Sequence, residues 1–164
     1  MKAFGFAAYS GSGKTTLMEN LLPVLVRRGL RVSVIKHAHH AFDIDRPGKD
    51  SYRHRQAGAT EVLVSSGARW ALMHELRQEP EPELPRLLER LSPCDLVLVE
   101  GFKRQTIPKI EIHRIAAGTP LLFPHDPAIV ALATDGCFTS PLPRFALDDF
   151  TGIAGFILTH LGLA

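Results

Sequence analysis

The run Ala8-Tyr9-Ser10-Gly11-Ser12-Gly13-Lys14-Thr15 constrains the fold of this chain more than any other stretch, because of what flanks it. Ala3 to Ala8 is an uninterrupted apolar segment, as expected of a strand buried on both faces of a parallel sheet. From Lys14 onward Leu17, Leu21, Leu22 and Leu25 recur at helical spacing, and Gly29 supplies a stop before Arg31 to Ile35 opens a second strand. Pro23 falls inside that helix, where the loss of a backbone donor costs about 3 kcal/mol, so a bend or break is expected in its last turns. A buried strand, a glycine-rich turn and an amphipathic helix in immediate succession form a phosphate-binding loop.

A triphosphate in water is heavily solvated, and a protein that binds one must replace that solvation with many donors. Gly11 and Gly13 can adopt backbone angles that turn successive amides inward, and the helix beginning near Lys14 adds the positive end of its dipole. Ser10, Gly11, Ser12, Gly13, Lys14, Thr15 and Thr16 are therefore the expected phosphate-binding residues. Lys14 would reach the β and γ phosphates, Thr15 would bind Mg²⁺ through its hydroxyl, and Thr16 would meet the α phosphate. Ala8 stands where the usual pattern has glycine.

The rest of the chain alternates strands with helices. Glu61 to Ser65, Arg69 to His74, Asp95 to Val99 and Ala128 to Ala133 read as strands, with a short one at Arg144 to Ala146. Lys49 to Ala57, about Glu83 to Leu91, and Phe150 to Leu161 behind Asp148-Asp149 read as helices. Lys109 to His113 alternates like an exposed or edge strand, a candidate for pairing between chains. The fold expected is the α/β three-layer sandwich of P-loop NTPases, with a mainly parallel sheet plus an edge or antiparallel extension. With 164 residues and 45% hydrophobic content, one domain over residues 1–164 is expected.

Charge and cysteine content narrow the function. Net charge is only +2 with no dense basic run, which argues against a nucleic-acid partner. Cys94 and Cys137 lack paired spacing and read as reduced core residues of a cytoplasmic protein. The apolar start runs straight into the phosphate loop, so a cleaved signal is not expected. No segment approaches the roughly 20 apolar residues of a membrane span.

A bound Mg²⁺ also needs a carboxylate, which P-loop folds place near the carboxyl end of a neighbouring buried strand. Asp95 precedes Leu96 to Val99 and lies at the far end; Glu100 follows the strand on the nucleotide side and is the expected ligand, directly or through water. The loop after the second strand holds Lys36, His37, His39, His40, Asp43, Asp45 and Lys49. Asp43, then Asp45, is placed to complete the Mg²⁺ shell, and Lys36 or Lys49 to meet phosphate. A solvated polar loop is the alternative; zinc is disfavoured because no Cys pair or second His pair stands at structural-zinc spacing.

Ser10-Gly11-Ser12-Gly13-Lys14-Thr15-Thr16, Lys36-His37 with His39-His40, Asp43-Ile44-Asp45, Pro47-Gly48-Lys49-Asp50-Ser51 and Val99-Glu100-Gly101-Phe102-Lys103 together resemble the MobB family over nearly the whole chain. The histidine loop joined to Pro47-Gly48-Lys49-Asp50-Ser51 is the most specific part, and Ala8 conforms to the family pattern. The resemblance implies a GTP-binding adaptor of molybdenum cofactor biosynthesis. Such a protein would be a homodimer with weak intrinsic GTPase activity at most. It would assist the nucleotidyltransferase that joins GMP to molybdopterin, the guanylyltransferase of molybdopterin guanine dinucleotide synthesis, and direct contact with molybdopterin is open. Guanine selection has no Asn-Lys-x-Asp element; Asp135 fits either a guanine acceptor or an ordinary turn residue before Gly136. The competing reading is a P-loop small-molecule kinase using ATP or GTP. Against it, the chain has no distinct arginine-rich lid.

Overall fold

The computed structural model describes residues 1–38, 42–102 and 105–163. They divide into two compact units, Met1–His37 with Leu87–Ala164, and Ala38–Arg86.

The first unit is built on six strands: β1 (Lys2–Ala8), β2 (Val32–Lys36), β5 (Leu96–Glu100), β6 (Lys109–His113), β7 (Ile129–Thr134) and β8 (Arg144–Phe145). They lie in the order β2-β5-β1-β6-β7-β8, and every neighbouring pair is parallel. Helices α1 (Lys14–Arg27) and α4 (Phe150–Leu161) pack together over one face. Their Leu17, Leu21, Leu25, Ile153 and Ile157 meet Phe4, Phe6, Leu96, Leu98, Ile110 and Ile112 in one core. On the opposite face Ala7, Ile129 and Leu132 are covered by Leu122, Phe123, Phe138 and Leu142, which belong to loops and a short 3₁₀ turn rather than a long helix. The all-round burial of β1 and β5 explains why both read as continuous apolar runs.

Three expectations need correction. Helix α1 runs without interruption through Pro23 to Arg27; Leu21 and Leu25 on either side are fully buried, and that packing outweighs one missing backbone donor. β6 is an interior strand between β1 and β7, not an edge. Its alternation suggested one wet face, but Lys109 and Glu111 are themselves buried and satisfied. Lys109 Nζ lies 2.6 Å from Asp126, and Glu111 accepts the amides of Leu122 and Phe123 at 2.7 and 2.9 Å. β6 therefore offers no edge for pairing between chains. Cys137 is exposed and Cys94 half-buried, so neither is a core residue.

The second unit carries α2 (Asp50–Gln56) and the antiparallel hairpin β3 (Glu61–Ser65) and β4 (Trp70–His74), which is the only antiparallel pairing among the described residues. α3 (Leu84–Leu88) spans the boundary and is shorter than expected, ending before Glu89. No helix among the described residues is long and apolar enough to cross a membrane.

Candidate functional site

Three carboxyl ends of the parallel sheet meet at the glycine loop. β1 ends at Ala8 and enters the loop; Gly11 and Gly13 stand at φ values of +78° and +86°, in the left-handed region. Gly13 then serves as N-cap of α1, its carbonyl accepting the amide of Leu17 at 3.0 Å, with no side chain capping the helix. No cap side chain therefore satisfies the amides of the first turn. Ser12 is 1% exposed, and its Oγ has no hydrogen-bond partner among the described residues. Leaving a buried hydroxyl unpaired costs roughly 1–3 kcal/mol, and an anionic oxygen in the loop would supply the missing acceptor. Ser10, Thr15 and Thr16 are exposed, and the Thr16 carbonyl accepts from Asn20 Nδ2 at 2.8 Å.

Glu100 closes β5, the strand beside β1, and its carboxylate draws two cations. Lys14 Nζ stands 3.4 Å from Oε1 and Lys36 Nζ 3.9 Å from Oε2. The parallel pairing of Lys36 with Glu100 sets this up, since β2 lies on the other side of β5. The next turn is tightly made. The His37 amide donates to the Glu100 carbonyl at 2.8 Å, the His37 and Phe102 rings lie 4.8 Å apart, and a Cβ on Gly101 would come within 2.6 Å of the His37 Cβ. With φ at +92° and no room for a side chain, position 101 requires glycine. Lys14 and Lys36 therefore converge on Glu100, and His37 packs on the turn that follows it.

The remaining anticipated residues make the following contacts. Asp135 follows β7, and its Oδ1 accepts the Ile115 amide at 2.9 Å, which anchors the turn after β6. Asp43, Asp45 and Lys49 belong to the second unit. There both Asp43 oxygens receive Arg55 Nη2 at 2.8 and 2.9 Å, Asp45 receives Arg55 Nε at 3.3 Å and the Ser51 hydroxyl at 2.9 Å, and Glu75 receives Arg55 Nη1 at 2.7 Å. Arg55 holds the Asp43 carboxyl below the ordinary value of 3.8, helped by the Asp45 amide. Burial works against ionisation of Asp45, but the Arg46 amide, Ser51 and Arg55 together bring it below the ordinary range. The same carboxylates, Asp43 first, push the Arg55 pKa up. Lys49 precedes α2, its carbonyl accepting the Arg53 amide at 3.0 Å. His39 and His40 lie outside the described residues. Among the described residues no three His, Cys, Asp or Glu side chains form a metal-binding group.

Sequence reasoning passed over Arg114, whose guanidinium lies over Gly13. A single arginine after a strand carries no pattern of its own. Only the register of β6 against β1 places it there.

Comparison with known proteins agrees with this architecture. The "Molybdopterin guanine dinucleotide synthesis protein B" family model, MobB, matches residues 3–135. The "Molybdopterin-guanine dinucleotide biosynthesis adapter protein" of Escherichia coli K12 is 45% identical over 156 residues, covering 93% of this chain and 89% of its own. The protein of the same description from Haemophilus influenzae is 47% identical over 135 residues, covering 80% and 73%. A crystal structure of molybdopterin-guanine biosynthesis protein B superposes with a TM-score of 0.78 at 30% identity, over 97% of this chain and 99% of that one. By the span of the family match and the closeness of these relatives, the chain belongs to the MobB family.

Proposed function

We propose that this protein is an adapter of molybdopterin guanine dinucleotide biosynthesis that binds Mg²⁺-GTP on the Gly11–Thr16 loop and assists the nucleotidyltransferase attaching GMP to molybdopterin. Family membership supports the pathway. The observation supporting the nucleotide is the unpartnered, buried Ser12 hydroxyl inside a loop where Lys14 stands beside Glu100. Lys14 would exchange Glu100 for phosphate. Thr15 and Glu100 would hold Mg²⁺, which when bound neutralises phosphate charge. Asp43 and Asp45 would join that shell only by giving up Arg55, so Glu100 is the favoured carboxylate. Asp135 is the proposed guanine acceptor through the oxygen not taken by Ile115. Any GTP hydrolysis would be slow. Lys36, His37, His39, His40 and Lys49 are proposed to face phosphate or the partner enzyme.

The protein is also proposed to act as a homodimer. On the β3–β4 hairpin Leu63 is opposite Leu72 and Ser65 opposite Trp70, so Leu63, Leu72 and Trp70 share a face, and all three are exposed.

The test is guanylation of molybdopterin by the nucleotidyltransferase, with and without this protein and with its Lys14→Ala variant, alongside titration of GTP and ATP in Mg²⁺. Stimulation by wild type, and a loss of GTP affinity of about 10- to 100-fold in Lys14→Ala, are expected from losing a charged hydrogen-bond donor. No stimulation would sink the adapter reading, and equal affinities for GTP and ATP would sink the guanine assignment.

A further inference from the structure

Arg114 is the first residue after β6, and β6 lies directly beside β1. Parallel pairing of Ala8 with Ile112 brings the carboxyl ends of the two strands level, so one strand delivers the glycine loop and the other delivers this arginine. A Cβ on Gly13 would come within 3.2 Å of Arg114 Nε and 3.3 Å of its Nη2. The backbone that carries Arg114 is pinned: the Ala117 amide donates to the Arg114 carbonyl at 3.1 Å, and the Ile115 amide donates to Asp135.

The side chain has no such tie. It is exposed and makes no hydrogen bond or ion pair among the described residues. Arg31 is engaged by Asp95, Arg55 by Asp43, Asp45 and Glu75, and Arg86 by Glu79, whereas Arg114 shares its lack of a partner with other surface arginines and differs from them in lying over Gly13. Arg114 instead adds positive charge where the N-terminal amides of α1 and the Lys14 ammonium already concentrate it. Glu100 offsets part of this charge through Lys14, and an anion with several oxygens over the loop would engage both cations.

We propose that Arg114 is a second side-chain cation of this site, binding together with Lys14 the phosphate chain of a nucleoside polyphosphate. The inference rests on the nucleotide reading above. A planar guanidinium with several donors suits two phosphate oxygens better than an ammonium does, so arginine and lysine are not equivalent at this position. No proton transfer by Arg114 is involved; it binds charge.

The experiment measures binding of GTP, GDP and inorganic tripolyphosphate, each with Mg²⁺, to the full chain and to Arg114→Ala, Arg114→Lys and Lys14→Ala. Arg114→Ala is expected to weaken the tightest of these ligands by about 10- to 100-fold, with partial recovery in Arg114→Lys. Because a cation has been removed, its affinity should fall less steeply with added salt than that of wild type. Millimolar guanidinium ion should restore part of the loss, an effect that a purely structural role of Arg114 would not show. Wild-type affinity in Arg114→Ala alongside a loss in Lys14→Ala would overturn the inference and leave the nucleotide reading standing. A loss in Arg114→Ala with unchanged salt dependence and no response to guanidinium would also overturn it. If wild type binds none of the three ligands, the nucleotide reading fails and takes the inference with it.

Discussion

In the sheet unit Phe4, Leu21, Leu98 and Ile110 are fully enclosed; in residues 38–86 Leu63, Trp70 and Leu72 stand in the open, and a charged side chain, Arg55, takes an enclosed position at 9% exposure. The first unit has a continuous apolar core, whereas the hairpin of the second leaves these three large side chains exposed. Six parallel strands under two helices can bury a strand on both faces, whereas a two-stranded hairpin with one short helix cannot. Residues 38–86 are organised instead around Arg55, whose five donors suit three carboxylates arriving from 43, 45 and 75. Stability in the first unit should therefore follow apolar volume. Order in the second should follow charge.

The largest effect that would sharpen this contrast is expected from Leu98→Ala. Leu98 is fully buried in β5, between β1 and β2, and its truncation should cost about 2–5 kcal/mol by lost transfer energy and cavity formation. Chemical denaturation followed by far-ultraviolet circular dichroism measures it. A cost below about 1 kcal/mol would mean that the sheet unit does not depend on apolar packing as described.

A charge-based perturbation should act in the reverse sense. Arg55→Met retains length but not donors, and should accelerate amide exchange in α2, β3 and β4 while leaving β1 and β5 protected. Acid should likewise lower the protection of these amides, taken relative to their intrinsic exchange rates, in the wild-type protein. Because the folded-state carboxyls of Asp43 and Asp45 lie below the ordinary 3.8, their stabilising contribution is complete above that value. It is lost as pH falls through 3.8 toward the lower folded values. Protection factors in residues 50–74 that are indifferent to Arg55→Met and to pH between 5 and about 2 would remove charge as the organising force.

The same division explains what was legible in the sequence. β1 and β5 were plain because burial on both faces leaves an unbroken apolar run, and α4 was legible from the Asp148-Asp149 pair, of which Asp149 is the cap. The Gly11–Thr16 loop was legible because its backbone angles demand glycine at fixed spacing. β6 was misread because its charges are neutralised by Asp126 and by amides of Leu122 and Phe123, partners that a period of two cannot reveal. The engagement of Asp43 and Asp45 with Arg55 could not be read from the sequence, because it depends on a fold that brings positions 43, 45, 55 and 75 together. Arg114 was invisible for a similar reason: only strand register puts it over Gly13.

The smallest effect tests whether polar contacts in the sheet unit adjust its stability without carrying it. Asp149 precedes α4, and its Oδ1 accepts the Gly152 amide at 2.9 Å, one of the donors a helix start leaves unpaired. Two glycines, Gly152 and Gly155, weaken the helix, so the cap has more to hold than it would in an alanine-rich segment. Ile153, Ala154, Ile157 and Leu158 nevertheless bury one face of α4 against the core, and that burial is the larger contribution. Asp149→Ala should thus cost about 1 kcal/mol, well short of Leu98→Ala, while Asp149→Asn or Asp149→Ser should restore most of the loss because each retains an acceptor. Denaturant midpoints of the three variants measure this. A cost for Asp149→Ala equal to that of Leu98→Ala would place a polar contact on the same footing as core volume and dissolve the contrast between the two units.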